Sequence, residues 1–261
     1  LQRSGDASAA VDEHVGGKLA DLHDGRVAQK AAELGADLCG IGDIARYAGT
    51  DPQRDPRMIL PKGKCVIGAA FRVPRGLFRC MATKSQYYNY LTLGVKYPDE
   101  ELAEIFLLKM ASMIEDEGYD ACVQRNVSNL KVKGDKTQNP ELVDTYELIH
   151  AEPVEPGKPA PDVIMDFAQS AQICGMGAAG RSGAILVPKF GPFVRFVFIV
   201  TDAPLECDEP FAGTLCDECG ACGAILDYEI TAGENRVISW VTITLKDKEI
   251  KKDSDPSRAG K

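Results

Sequence analysis

The sequence predicts a fold of mixed helices and strands, and three observations carry that prediction. Stretches with apolar residues at three- and four-residue spacing alternate with short apolar runs bounded by Gly and Pro, the pattern of helices laid on a sheet. Near the C-terminus two such runs follow each other across a Gly-containing turn, which is the mark of an antiparallel hairpin. The chain has 261 residues, 44% hydrophobic and 26% charged, the balance of an ordinary globular protein, with room for one large domain or two small ones.

Taken in order, Leu19, Leu22, Val27, Ala31 and Leu34 fall on one helical face over 18–34, and Gly35 offers a left-handed stop. The runs 36–42 and 64–71 are strands, separated by a loop that holds Pro52, Pro56 and Pro61. Tyr97-Pro98-Asp-Glu-Glu101 has the composition of a helix start, with proline in the first turn and acids near the positive end of the dipole. That helix runs through Leu102, Phe106, Met110 and Ile114 to Gly118, and a strand follows over 119–125. Residues 126–160 are polar and broken by prolines, a surface excursion of a length often used for lids. A helix over 162–174 leads into a glycine run at 175–183, then strands at 184–188 and 193–200. A hairpin pairs 226–231 with 236–245, and a charged tail begins at Lys246. No internal repeat is present.

Thirty Lys and Arg against 39 Asp and Glu give a net charge of −9, which argues against a nucleic-acid binder that works through bulk charge. A local basic patch is compatible with that total. No apolar run reaches the length of a membrane span and the N-terminus lacks a secretory core, so the expectation is a cytoplasmic protein without membrane contact.

Nine cysteines, three of them within seven residues, speak for metal or redox chemistry and against a disulfide framework. Cys216-Asp-Glu-Cys219-Gly-Ala-Cys222 is an overlapping Cys-x2-Cys-x2-Cys, a spacing that lets one tight loop offer three thiolates to a 4Fe-4S cubane. The x3-Cys-Pro that completes the bacterial ferredoxin pattern is missing, since Leu226 and Asp227 occupy those positions. Cys207 is then the first choice for a fourth ligand. Structural zinc on the same four cysteines, and thiols without metal, are the alternatives; zinc sites more often keep two Cys-x2-Cys pairs well apart.

Gly175-Met-Gly177-Ala-Ala-Gly180 matches a dinucleotide fingerprint, with Asp202 downstream as a ribose partner. The motif should follow a strand and open a helix, whereas here a helical pattern leads in and strands lead out. A close-approach loop beside a cofactor, or a tight turn, fits the glycines better. Tyr87, Tyr88, Tyr90 and Tyr97 crowd one segment, and their spacing favours core positions over a stacking platform. Cys39, Cys65, Cys80 and Cys122 are expected to be small buried hydrophobes. The three histidines are scattered, with no metal or triad pattern among them.

Four segments taken together resemble one protein family. Ala171-Gln-Ile-Cys-Gly-Met-Gly-Ala-Ala-Gly-Arg-Ser-Gly-Ala-Ile-Leu186, Lys189-Phe-Gly-Pro-Phe-Val-Arg-Phe196, Val200-Thr-Asp-Ala-Pro-Leu205 and the cysteine triple stand in the order found in epoxyqueuosine reductases, their short anaerobic relatives and reductive dehalogenases. Gly35-Ala-Asp-Leu-Cys-Gly-Ile41 and Ile59-Leu-Pro-Lys-Gly-Lys-Cys-Val-Ile67 resemble the short relatives. The resemblance implies a nitroreductase-like, corrinoid-reductase-like α+β domain over 1–200, and a ferredoxin-like iron–sulfur segment with hairpin and charged tail over 201–261. It also implies a cofactor, cobalamin in many members, beside Gly175, Gly177, Gly180 and Arg181, and a catalytic acid shortly before them, where this chain carries Asp162 and Asp166. Partners implied are a small-molecule substrate or corrinoid and a redox protein such as ferredoxin or flavodoxin. The chain departs from the family where Gly223-Ala-Ile225 follows Cys222 directly, about six residues early on the Cys-x3-Cys-Pro pattern.

The function expected is an iron–sulfur-dependent reductase that passes low-potential electrons from a cluster to a bound cofactor or small substrate. The alternatives are a non-catalytic electron-transfer or corrinoid-handling protein and a zinc-stabilised binding module.

Overall fold

A computed structural model describes residues 23–126, 153–160 and 162–216, together with four short strands at 131–132, 146–147, 228–233 and 240–245. The first helix, α1 (Asp24–Glu33), starts later than the apolar spacing suggests, because His23 is extended and its Nδ1 accepts the Arg26 N–H as a cap. Strand β1 (Leu38–Asp43) is followed by the short helix α2 (Pro56–Ile59), strand β2 (Cys65–Arg72) and helix α3 (Arg75–Ala82). A π-helical stretch, Tyr90–Leu102, runs straight into α4 (Ala103–Asp116), and β3 (Ala121–Gln124) comes after it. Strands β4 (Lys131–Val132) and β5 (Tyr146–Glu147) pair with each other. Helix α5 (Phe167–Ile173), the two-residue strands β6 (Ala178–Ala179) and β7 (Ile185–Leu186), and β8 (Val194–Thr201) complete the main body. The C-terminal hairpin is β9 (Tyr228–Gly233) against β10 (Trp240–Leu245).

The main sheet is antiparallel throughout, in the order β1-β2-β8-β3. Its two faces are both covered, so β2 is buried over nearly its whole length and alternate residues serve different cores. Cys65, Ile67, Ala69 and Phe71 face α1 and α4, meeting Val27, Ala31, Phe106, Met110 and Ile114. Val66 and Ala70, with Phe196, Phe198 and Val200, face α5 and the glycine run, meeting Ala171, Ile173, Cys174 and Met176.

Two expectations are corrected. The helix begins before Tyr97, and Pro98 lies inside it: proline brings no N–H to the ladder, and the Ala103 N–H reaches back to the Pro98 carbonyl in a wide π turn. The tyrosines are not core residues, since Tyr87, Tyr88 and Tyr97 are 52%, 79% and 53% exposed. They lie in a stretch, 56–98, that carries eight Lys and Arg and no acid. The net charge of −9 is therefore unevenly spread along the chain, and the total by itself does not speak against an anionic partner. No described helix is long and apolar enough to cross a membrane.

The sheet's second face depends on Gly40 and Gly42 in β1. A Cβ on Gly40 would lie 2.1 Å from the Cys174 carbonyl oxygen, and one on Gly42 would lie 2.6 Å from the Ile173 side chain. Gly40→Ala should therefore cost about 2 kcal/mol or more in urea unfolding. Gly76→Ala, in α3 with nothing within 4 Å of the new methyl, should be neutral or stabilising by about 0.5–1 kcal/mol.

Candidate redox site

After β8 the chain runs as an extended strap, 203–211, along the free edge of β1. Ala203 and Leu205 sink into the core, and Cys207 packs against its rim. Asp208 then pairs with this edge strand twice. Its N–H donates to the Ile41 carbonyl at 2.7 Å, and its carboxylate accepts the Ile41 N–H at 2.7 Å. Arg46 donates to the Asp208 carbonyl at 2.6 Å, and the Phe211 N–H reaches the Gln172 carbonyl at 2.8 Å. The strap is thus stitched to β1 on one side and to the end of α5 on the other, and it carries the chain to Cys216. Cys216 is half-buried, its N–H bonded to the Thr214 hydroxyl at 3.1 Å. Cys219 and Cys222 lie outside the described residues.

The sulfur of Cys207, the first choice for a fourth ligand, sits 3.7 Å from the sulfur of Cys65 and 3.7 Å from the Leu205 carbonyl oxygen. Burial, with Cys65 beside it, pushes its thiol up to about 12. Cys39 is pushed up to about 11 by burial and by the Asp208 carboxylate. Cys174 is fully buried, and burial likewise raises its thiol; its sulfur donates to the Val66 carbonyl at 3.3 Å. Of the cysteines expected to be buried, Cys65 is so, while Cys39, Cys80 and Cys122 are half-buried. Among the described residues no three His, Cys, Asp or Glu side chains are grouped to hold a metal.

The glycine segment is occupied by the chain itself. Gly175 has φ +71°, and a Cβ there would lie 2.7 Å from the Glu209 carbonyl of the strap. A Cβ on Gly177 would lie 2.1 Å from the Leu186 carbonyl, and one on Gly180 3.0 Å from the Leu186 side chain. These glycines let a small hairpin, β6 with β7, fold directly after α5. Arg181 is exposed at its turn. A helix leads into the motif and a hairpin leads out of it, in an antiparallel sheet, so the arrangement that seats a pyrophosphate on a helix N-terminus is absent from these described residues.

The two acids before the glycines have different situations. Asp166 caps α5, its Oδ1 accepting from Ala168 (2.9 Å) and Gln169 (3.0 Å) and its Oδ2 from Arg54 (3.1 Å). Its oxygens are committed to the fold. Asp162 instead lines an open cavity of about 480 Å³ between α2, β3 and the 154–164 segment. Met58, Val123 and Ile164 form apolar wall, and Arg125 and Lys158 stand at the same cavity. Arg125 is paired with Glu104 and Lys158 with Glu155. No local sequence pattern marks this cavity, because its walls come from three distant segments.

Comparison with known proteins adds the fold. No family model matches the chain, and no curated protein matches it in sequence. Among solved structures, a catabolic reductive dehalogenase is similar at 16% identity and a TM-score of 0.51, over 82% of this chain and 26% of that one. A dehalogenase structure described in terms of B12-dependent dehalogenation gives 16% identity and the same TM-score of 0.51, over 81% and 26%. The fold is similar to that of reductive dehalogenases. Epoxyqueuosine reductase from Streptococcus thermophilus overlays more loosely, at 15% identity and a TM-score of 0.46, over 76% of this chain and 50% of that one. The chain thus spans half the length of that reductase and about a quarter of the dehalogenases.

Three measurements follow from this geometry. Because the Cys39 thiol is raised from 9.0 to about 11, the folded chain keeps a proton that the unfolded chain loses between those values. Stability should therefore hold below pH 9 and fall as the pH climbs towards 11, with a shallower fall in Cys39→Ser, as read by urea unfolding of iron-free protein. Asp166→Ala should lower stability by about 1 kcal/mol through loss of the helix cap. Titration with NADH should give no saturable binding at the glycine segment; micromolar affinity that is lost in Gly177→Val would overturn that expectation.

Proposed function

We propose that the chain is an iron–sulfur-dependent reductase in which Cys216, Cys219 and Cys222 hold a 4Fe-4S cluster, with a cofactor or small substrate bound in the same body. The observation that supports this reading most is the strap: it anchors the segment leading to the cysteine triple on β1 and the glycine turn, at the face of the sheet where α5 ends. In this reading the chain divides into a nitroreductase-like body over 1–200 and a ferredoxin-like cluster segment over 201–261. A bound cluster supplies low-potential single electrons. The protein's own residues supply the rest. The Asp208–Ile41 pair holds the strap at a fixed height on the sheet, and the apolar walls of the cavity limit water around a bound substrate. Asp162 stands on the cavity wall, where this reading places it beside a bound substrate.

A corrinoid beside the β6–β7 hairpin is the finer form of the proposal. Gly175 and Gly177 are spent on internal contacts, which leaves the exposed Arg181 as the residue able to meet an anionic group of such a cofactor. Cys207 is the candidate for the fourth thiolate, which requires its sulfur to turn away from Cys65. The electron donor in this reading is a small redox protein of the ferredoxin or flavodoxin class.

Anaerobically purified protein should show a broad absorption shoulder at about 400 nm from iron–sulfur charge transfer. In Cys219→Ser, iron and acid-labile sulfide should fall together. Unchanged iron in that variant would overturn the assignment, and a colourless protein with bound zinc would move it to the structural-metal alternative.

A further inference from the structure

We propose that Cys65 and Cys207 form a redox-active dithiol that closes to a disulfide between the start of β2 and the strap. Their sulfurs are 3.7 Å apart, the one cysteine pair among the described residues with sulfurs in contact. Cys65 is 3% exposed, and its other sulfur contacts are the carbonyl oxygens of Ala203 (3.3 Å) and Leu205 (3.7 Å), neither of which competes for a covalent bond. Cys207 is half-buried, so an oxidant reaches it first. An S–S bond is about 2.05 Å long, so the sulfurs must close by roughly 1.7 Å, a movement on the scale of side-chain torsions. The backbone on both sides is already fixed: Cys65 is paired to Thr201 in the central ladder, and Asp208, next to Cys207, is paired to Ile41.

The oxidant proposed is a peroxide. Burial keeps most of the Cys207 thiol protonated, so the step is slow and runs through its small thiolate fraction: the thiolate attacks one peroxide oxygen, the O–O bond breaks, and the departing hydroxide takes up the thiol's proton, leaving a sulfenic acid and water. The Cys65 sulfur then attacks the sulfenic sulfur. The S–S bond forms, hydroxide leaves, and it takes the Cys65 proton as water. Two thiols have lost two protons and two electrons, and the peroxide has been reduced to two waters. A small dithiol reverses the step by exchange. The cross-link ties residues 142 positions apart, and while closed it withdraws Cys207 from any other ligand.

The test treats the full chain with hydrogen peroxide, blocks remaining thiols with iodoacetamide, and maps tryptic peptides by mass spectrometry. The tryptic peptide Cys65–Arg72 should appear joined to Cys207, with the join located by fragmentation. The linked species should vanish after dithiothreitol and be absent from Cys207→Ser. Separate alkylation of Cys65 and Cys207 at a peroxide dose that oxidises other cysteines would overturn the proposal. So would a disulfide from Cys207 to Cys216, Cys219 or Cys222 in place of Cys65. Iron measured on the same samples, with Cys219→Ser alongside, reports separately on the cluster, so failure of one reading is distinguishable from failure of the other.

Discussion

Two missing side chains on β1 set the position of nearly everything on one face of the sheet. With hydrogen at Gly40 and Gly42, the last turn of α5 lies directly on the strand, and Cys174 and Met176 fill the space that two Cβ atoms would occupy. The contact is close enough for the helix end, the glycine turn and the strap to share one small region. Close packing of this kind has little tolerance for added volume, because interiors are already near crystal density. The turn at Gly175 repeats the device one layer further out, admitting the Glu209 carbonyl where a side chain would stand.

The strap gains its place from directional bonds as well as from burial. Ala203 and Leu205 supply apolar anchorage, but it is the paired exchange between Asp208 and Ile41 that fixes the strap along the strand. Both bonds are 2.7 Å long and one involves a carboxylate, the stronger class of hydrogen bond. Arg46 adds a further tie to the Asp208 carbonyl and also reaches the Ile173 carbonyl at 3.4 Å, joining the strap to the end of α5 through one guanidinium.

The strands of the sheet were legible because each is a short apolar run between turn formers, and α5 was legible from its lead into the glycines. What escaped was whatever depends on partners distant in sequence. The π-helical stretch carries Pro98, a residue that marks a helix start in isolation, and only the continuous helix beyond it shows that the chain was already coiled. Helix α3 is amphipathic but only eight residues long, with Gly76 in its first turn, so its apolar face repeats too few times to stand out from sequence alone. The tyrosines have core-like spacing, but Tyr87, Tyr88 and Tyr97 lie on the outside, and Tyr90 is half-buried against Phe78 at 5.8 Å. At the site, the cysteine triple was plain from spacing, whereas the Cys65–Cys207 contact and the cavity at Asp162 join segments that no local pattern relates. The split between Asp166 as helix cap and Asp162 as cavity residue likewise needed the hydrogen bonds to be seen.

The strap has a second consequence, for solubility. β1 is one of the two edge strands of the main sheet, and an edge strand offers unpaired N–H and C=O groups to any chain that can add to it. Two glycines leave β1 without bulk on one face to discourage such addition. Asp208 occupies the N–H and the C=O of Ile41 at the middle of that edge, and the acidic side chain brings charge to it. The segment that leads to the cysteine triple is therefore also the edge guard of the sheet, and whatever loosens it opens a template for self-association at the same time.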